Sequence, residues 1–475
     1  MNILHKIKNI SDAAKASIAL MLSSVIANGI TYLVTPIYTR LLTPTEFGET
    51  SLFLTWLQIF GIIAMFGLAN GVFNNGMVDF PDKRDEYSFS MLVLSNIITV
   101  AFMGILLCIY PLVQGFVGLG YPLIILMGAV YVFQPAFNFW SARQRYEFKY
   151  KALFIWSVIS AVITPIVAIF TILSTEGNKA YAQIFGMEIA RIAIYIVFYV
   201  YICFKNKMKL KTKYWKGAFK FNLPLLPHYL SMHLLSSSNK VMISYLINDA
   251  ATAYYSVAHS VAAVSTIVWT AINSSLIPYT YEKCKIKDYK SISKIASFVL
   301  LLFAVVCVCV IMFAPEVVAI MATPDYMEAI YVIPPIVGGI FFQVQYNLYA
   351  NVIFYYKKPK YVMIASVTAA FVNISLGYVL ISSFGYLAAG YVTLVCYILQ
   401  AVIDFIGMKK AAGNTLYDMK FIVLLSLFVI IIALFSNLLY SVTIVRYLIV
   451  AALFIICFIF RNTIIAKIKE IKKRR

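Results

Sequence analysis

The chain contains a succession of long apolar stretches, and no other sequence feature restricts its fold as strongly. A helix needs about 20 apolar residues to cross the hydrocarbon core of a bilayer, and fourteen windows reach that length. The sequence therefore predicts an all-α polytopic membrane protein. The predicted spans, numbered 1 to 14, are 16–39, 48–73, 88–112, 119–140, 152–174, 181–204, 222–247, 252–278, 292–314, 328–354, 361–383, 386–407, 420–439 and 443–461.

Composition narrows the class of protein further. Hydrophobic residues make up 62% of the chain and charged residues only 12%, which is too apolar for an ordinary soluble domain. The net charge of +20 does not indicate a nucleic-acid partner, because the basic residues stand in short runs between apolar stretches. The chain has no C-x-x-C pair, H-E-x-x-H, Gly-rich phosphate loop or G-x-S-x-G elbow. We therefore expect no metal site, no cofactor and no enzymatic activity.

The charges of the loops predict the orientation in the membrane. Basic loops alternate with loops that hold almost nothing basic beyond Arg40 and Lys179, and basic loops stay in the cytoplasm. Both termini are therefore predicted to be cytoplasmic, with the first apolar stretch an uncleaved span. The basic segments are 143–151, 205–220, 283–294, 357–360, 409–420 and the tail 462–475.

Two pairs of similar turns suggest an internal duplication. Leu42–Ser51 matches Ile247–Ser256, and Gly177–Ala182 matches Gly385–Gly390, at nearly the same offset. The repeat predicts two six-helix lobes of the same orientation, with the substrate site at their interface near mid-membrane. The predicted organisation is a first lobe 1–204, a basic cytoplasmic linker 205–221, a second lobe 222–407, an additional helix pair 420–461 and a basic tail 462–475.

Four motifs carry a resemblance to a known family. They are Thr35-Pro36 with Leu41–Gly48, Asn239–Ile243 with Ala253–Ala258, Leu276–Pro278, and Phe384–Gly390. In this order and spacing they resemble the polysaccharide repeat-unit exporters, the Wzx-type flippases of the multidrug/oligosaccharidyl-lipid/polysaccharide exporter (MATE-like) superfamily. The family usually has Asp-Arg or Asp-Lys where this chain has Asn239-Lys240. The positive charge is kept and the acid is lost, so a coupling scheme that needs a carboxylate there is in doubt.

The resemblance implies a V-shaped pair of helical bundles, alternating access and a prenyl-pyrophosphate-linked oligosaccharide as cargo. It also implies membrane lipid, a polysaccharide polymerase, a chain-length regulator and a coupling ion, H⁺ or Na⁺, as partners. A lipid II flippase and a multidrug/cation antiporter of the same fold are the alternatives. Basic residues within the spans favour an anionic cargo over a cationic one.

Ionisable residues inside predicted spans are candidates for function, because a charge in hydrocarbon is costly. Lys240 has no acid at helical spacing, so it either binds the anionic part of the cargo or snorkels to the interface. Glu188 and Arg191 stand three apart on one helix face and are expected to pair. Glu188, Asp404 and Asp249 are the candidates for ion coupling, although Asp404 also fits an interfacial position.

Polar residues recur at helical period in several spans. Such stripes either line a wet cavity that binds sugar hydroxyls or join helices to one another. Together with Lys240 and Arg191, the predicted substrate-binding residues are Asn28, His233, His259, Asn273, Gln343 and Asn347.

The predicted topology can be tested with a single cysteine at Lys358, in the basic loop after span 10, in a chain that lacks its own cysteines. A membrane-impermeant thiol reagent should label this cysteine only from the cytoplasmic side. Labelling in intact cells from the periplasmic side would contradict the fourteen-span topology.

Overall fold

A computed structural model describes residues 29–459 and 461, apart from 31, 70, 148 and 206–208. The described residues form helices and no strands. The α-helices are α1 (32–41), α2 (Pro44–Ala64), α3 (Val72–Asp79), α4 (Arg84–Val117), α5 (Tyr121–Tyr146), α6 (Tyr150–Leu173), α7 (Lys179–Lys205), α8 (Trp215–Asn222), α9 (Leu226–Leu246), α10 (Asp249–Lys285), α11 (Tyr289–Met312), α12 (Ala314–Met321), α13 (Ile333–Tyr355), α14 (Lys360–Phe384), α15 (Leu387–Ala412), α16 (Met419–Phe435) and α17 (Thr443–Ile459).

The prediction of an all-α polytopic membrane protein is confirmed. Ten helices of the described chain are long and apolar enough to cross a membrane, and an eleventh candidate is a bent pair, Pro324–Tyr331 with Ile333–Tyr355 at 49°. The remaining predicted spans correspond to α1, of which only the end is described, to the polar helix α9 and to the short apolar helix α17. Every predicted span thus coincides with a helix wherever the structure describes its residues.

Two predicted spans include a turn that the structure places outside the spanning helix. Span 2 was expected to run over 48–73, but α2 ends at Ala64 and a turn separates it from α3. Span 7 was expected to begin at 222, whereas α9 begins at Leu226. Pro224 lies in the turn before α9 and Pro227 in its first turn, where the missing N–H groups cost nothing, so proline sets the start of this helix.

The chain divides into two compact units, Met1–His233 and Leu234–Arg475, and the division falls within α9. In unit 1, α7 packs against α5 and α6. Gly186 lets α7 approach α6, because a Cβ at this position would lie 2.9 Å from the Cα of Ala168. Thr171 on α6 donates to the carbonyl of Ala182 on α7 at 2.7 Å, which ties the same two helices. The predicted lobe boundaries at 204 and 222 stay a prediction.

In unit 2, α13 is buried along almost its whole length and packs against α10, α15 and α16. The additional helix pair predicted at the C-terminus belongs to this unit. Arg446 on α17, with a side chain only 3% exposed, binds both oxygens of Glu316 at 2.8 Å and donates to the carbonyl of Met312 at 2.6 Å. Gln345 on α13 donates to Ser426 on α16 at 2.7 Å.

Replacement of Gly186 by Ala should destabilise the protein, because the added methyl group meets the backbone of α6. We expect the free energy of unfolding to fall by about 1–3 kcal/mol, as is typical of an overpacked interface. The measurement is the melting temperature of the purified protein, which should be lower than that of the wild type. Gly104→Ala is the matched control, since a Cβ on that helical glycine meets nothing within 4 Å. Equal melting temperatures for the two variants would contradict this account of the α6–α7 contact.

Candidate functional site

Unit 1 contains a polar cavity of about 390 Å³. Its wall combines apolar residues with three side-chain amides, one cation and one histidine, and no carboxylate is among the described lining residues. The lining comes from α2, the turn after α2, α4, α5, α7 and the first half of α9, and includes Leu54, Gln58, Gly61, Met65, Gly67, Ser95, Gln134, Asn138, Phe139, Arg191 and His233. Two of the predicted substrate-binding residues, Arg191 and His233, therefore share one cavity.

The turn that ends α2 forms part of this cavity. Phe66 and Gly67 both have left-handed backbone conformations, with φ of 54° and 57°. The carbonyl of Phe66 accepts a hydrogen bond from the Asn222 amide at 2.9 Å, which helps to hold this unusual turn. Gly67 has a second reason to be glycine, because a Cβ there would lie 3.1 Å from the ring of Tyr229. The turn thus ends α2 and keeps backbone close to the cavity.

Arg191 supplies the positive charge of the cavity. Its Nη1 donates to Oε1 of Glu188 at 2.6 Å, which confirms the pair predicted from their spacing on one helix. The Glu188 side chain is fully buried, whereas the Arg191 side chain is 31% exposed. A guanidinium has five N–H donors, so the pair leaves most of the donors of Arg191 for a ligand. Arg191 can therefore bind an anion without losing its own counter-ion.

The amides of the cavity were not among the predicted site residues. Gln134 and Asn138 lie one turn apart on α5, and Gln58 is exposed on α2. Each amide offers both donors and an acceptor, which suits the hydroxyl groups of a sugar. Their four-residue spacing was a readable signal, but only the fold shows that α2 and α5 face the same space.

Lys240 and His259 are predicted ligands in unit 2 that lie on neighbouring helices and near each other. Lys240, on α9, is half-buried, and its charge acts electrostatically on the His259 imidazole of α10. None of the ion pairs in the described part of the chain involves Lys240, as its lack of acidic neighbours suggested. A half-buried ammonium without a carboxylate partner favours an anionic ligand or water.

The neighbouring Asn239 connects three helices through its buried side-chain amide. Its amide nitrogen lies 2.8 Å from Oγ1 of Thr393, 3.1 Å from the carbonyl of Ala389 and 3.2 Å from the hydroxyl of Tyr255. These contacts join α9, α10 and α15 at a point where the Asn239 side chain is 1% exposed. A carboxylate could not donate to the Ala389 carbonyl, so the loss of the acid matches this packing.

The other predicted residues occupy separate places. Asn273 accepts from Asn351 at 2.9 Å, and Asn347 donates to the backbone carbonyl of Gln343 at 2.8 Å. Asp249 accepts from Ser244 at 2.6 Å in the first turn of α10, a position that also stabilises a helix N-terminus. Asp404 is fully buried on α15. Asn28 lies outside the described residues.

Comparisons with known proteins identify relatives of the chain. The family model described as "Polysaccharide biosynthesis protein" matches residues 13–284. A curated relative, "Lsg locus putative protein 1" of Haemophilus influenzae, is 21% identical over 230 residues, which are 46% of this chain and 57% of the relative. The match thus spans little more than half of that relative.

Solved structures share the fold. A structure of the lipid II flippase MurJ in an inward closed conformation has a TM-score of 0.67 at 14% identity and covers 95% of this chain and 100% of that one. An inward-facing multidrug resistance MATE family transporter of the MOP superfamily has a TM-score of 0.58 at 14% identity, covering 84% of this chain and 98% of that one. Together with the family match, they confirm the resemblance drawn from the four motifs.

The Glu188–Arg191 pair can be tested by removing one or both charges. Arg191→Met leaves a fully buried carboxylate without a counter-ion, and such a loss typically costs about 3–5 kcal/mol. The double variant Glu188→Met/Arg191→Met removes both charges and should melt closer to the wild-type temperature than Arg191→Met does. A double variant that is less stable than Arg191→Met would show that the two charges do not depend on each other.

Proposed function

The chain belongs to the polysaccharide biosynthesis protein family, and we propose that it is a flippase for undecaprenyl-pyrophosphate-linked oligosaccharide repeat units. The cargo moves from the cytoplasmic to the periplasmic leaflet for the synthesis of a surface polysaccharide, O-antigen or capsule. Such a protein alternates access to the two sides and makes or breaks no covalent bond. Its expected partners are membrane lipid, a polysaccharide polymerase, a chain-length regulator and a coupling ion. The proposal places it in the inner membrane with both termini in the cytoplasm.

The polar cavity of unit 1 is the observation that carries this proposal. A prenyl-pyrophosphate oligosaccharide offers an anionic phosphate and many hydroxyl groups. In the cavity, the Arg191 guanidinium can bind the phosphate. The amides of Gln58, Gln134 and Asn138 can bind the hydroxyl groups. Guanidinium and phosphate match in geometry as well as charge. Lys240, half-buried in unit 2, is a second basic residue for an anionic or acidic-sugar group.

Two alternatives of the same fold make different demands. A multidrug/cation antiporter needs acidic groups in its cavity, whereas the described lining of this cavity contains a cation and no carboxylate. A lipid II flippase handles a cargo with the same prenyl pyrophosphate, and the lipid II flippase MurJ shares the fold over 95% of this chain. The sugar part of the cargo therefore separates this alternative from the proposal.

Deletion of the gene should abolish surface polysaccharide while lipid-linked repeat units accumulate in the cytoplasmic leaflet. When expressed in this strain at normal membrane abundance, the Asn138→Leu and Lys240→Ala proteins should each restore little export. The first lacks an amide for sugar hydroxyl groups, and the second lacks a cation. Lys240→Arg should restore much of the export, because charge matters there more than geometry. Lys358→Ala, which removes an exposed cation, is the matched control. Surface polysaccharide and immunoblots give the readout.

The possible outcomes separate the alternatives. If the deletion strain still displays single repeat units on the outer leaflet at normal levels, the chain acts in polymerisation. If the gene instead restores growth to cells depleted of their lipid II flippase, lipid II is the cargo. Wild-type export by well-expressed Asn138→Leu and Lys240→Ala proteins would remove both residues from the binding site.

A further inference from the structure

Asp404 on α15 is a buried acid without a partner. Its side chain is 0% exposed, and neither Oδ1 nor Oδ2 has a hydrogen-bond partner among the residues that the structure describes. Glu188 provides the contrast within the same chain, because it is equally buried but binds Arg191. An isolated carboxylate in apolar surroundings is so unfavourable that the group becomes neutral instead. The position of Asp404 therefore requires an explanation in terms of its charge state.

Gln400 supplies a second, independent observation at the same place. It precedes Asp404 by four positions and so lies on the same face of α15. The Gln400 side chain is 2% exposed, and its Oε1 is buried without a donor. An ionised carboxylate and an amide oxygen are both acceptors and cannot satisfy each other. One proton on Asp404 removes the buried charge and provides the O–H donor that Gln400 Oε1 lacks.

Among the described residues, the helices packed along α15 bring no compensating charge next to Asp404. They are α13 and α14, whereas α9 and α10 contact α15 near Ala389 and Thr393, about three to four turns before Asp404. The titratable groups that α13 and α14 present in this region are tyrosines. On α13 these are Tyr346, on which the charge of Asp404 would act, and Tyr349, which contacts Phe405. On α14 it is Tyr361, which contacts Gly407. Lys360 is exposed and lies 5.5 Å from the centre of the Tyr361 ring, outside this buried contact. Tyrosines are neutral at physiological pH, so the surroundings favour a neutral Asp404.

We propose that Asp404 is a proton-binding residue of unit 2, protonated in this conformation and hydrogen-bonded to Gln400 Oε1. The proton comes from water and returns to water as a conformational change opens and closes the contact of α15 with α13 and α14. Gly407, one turn from Asp404, shows how tight this contact is, because a Cβ there would lie 2.8 Å from Cβ of Tyr361. Proton exchange is thus tied to helix movement.

A proton fits this place better than a metal ion. A hard cation needs several oxygen ligands. The described residues contain no cluster of three or more His, Cys, Asp or Glu side chains that are close enough to hold a metal ion. A proton needs only the carboxylate that carries it and one acceptor. This inference deepens the proposed function, on whose coupling ion it rests, by assigning the ion and the residue that binds it. It does not depend on the cargo, since it concerns a charge state that the purified protein has by itself.

The direct test is infrared spectroscopy of the purified full-length protein in lipid, comparing wild type with Asp404→Asn at neutral pH. The wild-type spectrum should contain a neutral-carboxyl band that Asp404→Asn lacks, and Gln400→Leu should shift this band, because the carboxyl loses its acceptor. Labelling with dicyclohexylcarbodiimide, which reacts with protonated carboxyl groups and is read by peptide mass spectrometry, should modify Asp404 and leave the ion-paired Glu188 largely unmodified. Asp404→Asn should fold normally but lose polysaccharide export.

Each result decides the matter. Absence of the neutral-carboxyl difference band, or protection of Asp404 from the carbodiimide by Na⁺, would overturn the proton assignment. Wild-type export by Asp404→Asn would overturn its role in transport. If the wild-type protein shows the neutral-carboxyl band but does not export lipid-linked sugars, the proposed function is wrong and the proton site remains. The two results are independent because the spectrum is recorded without cargo.

Discussion

The cost of a charge in an apolar environment governs how this chain arranges its ionisable side chains. Arg191 and Glu188 form an ion pair within one helix, and Arg446 and Glu316 form one between two helices. Asp404 has no counter-ion, so neutralisation is the solution that remains. Each arrangement has a different consequence. The first leaves a cation available to a cavity, the second fastens the C-terminal helix pair to unit 2, and the third makes charge dependent on conformation.

Asn239 and Lys240 show the same constraint at neighbouring positions. The amide of Asn239 donates within a fully packed contact of three helices, where a carboxylate would meet the Ala389 carbonyl as a second acceptor. Lys240, one residue further, faces a different side of α9 and is half-buried. The exchange of acid for amide at 239 therefore stabilises the packing and leaves the lysine without a local counter-ion. The departure from the family pattern has a structural reason.

Hydropathy predicts the helices of this chain well, because the requirement of a bilayer acts on each span separately. Within the described part of the chain, each predicted span coincides with a helix, including the polar α9. The Glu188–Arg191 pair was also predictable, since the two residues are three positions apart on one helix and therefore lie on the same face. The bond between Arg446 and Glu316 was not, because the two residues are 130 positions apart and meet only when α17 packs on unit 2. Where sequence reasoning fails, the missing information is which helices touch.

The same distinction explains what was and was not foreseen at the candidate sites. The cavity in unit 1 requires residues from α2, α5 and α7 to face one space, so the sequence predicted Arg191 but missed the amides around it. For Asp404 the sequence allowed either an interfacial position or a role in coupling, and the structure adds that its side chain is completely buried within the protein. A paired acid such as Glu188 keeps its charge as long as the pair persists. An unpaired acid beside an amide oxygen is stable only with a proton, so a change in its burial must change its charge. The first arrangement suits a group that holds an anionic cargo, and the second suits a group that links helix movement to a proton.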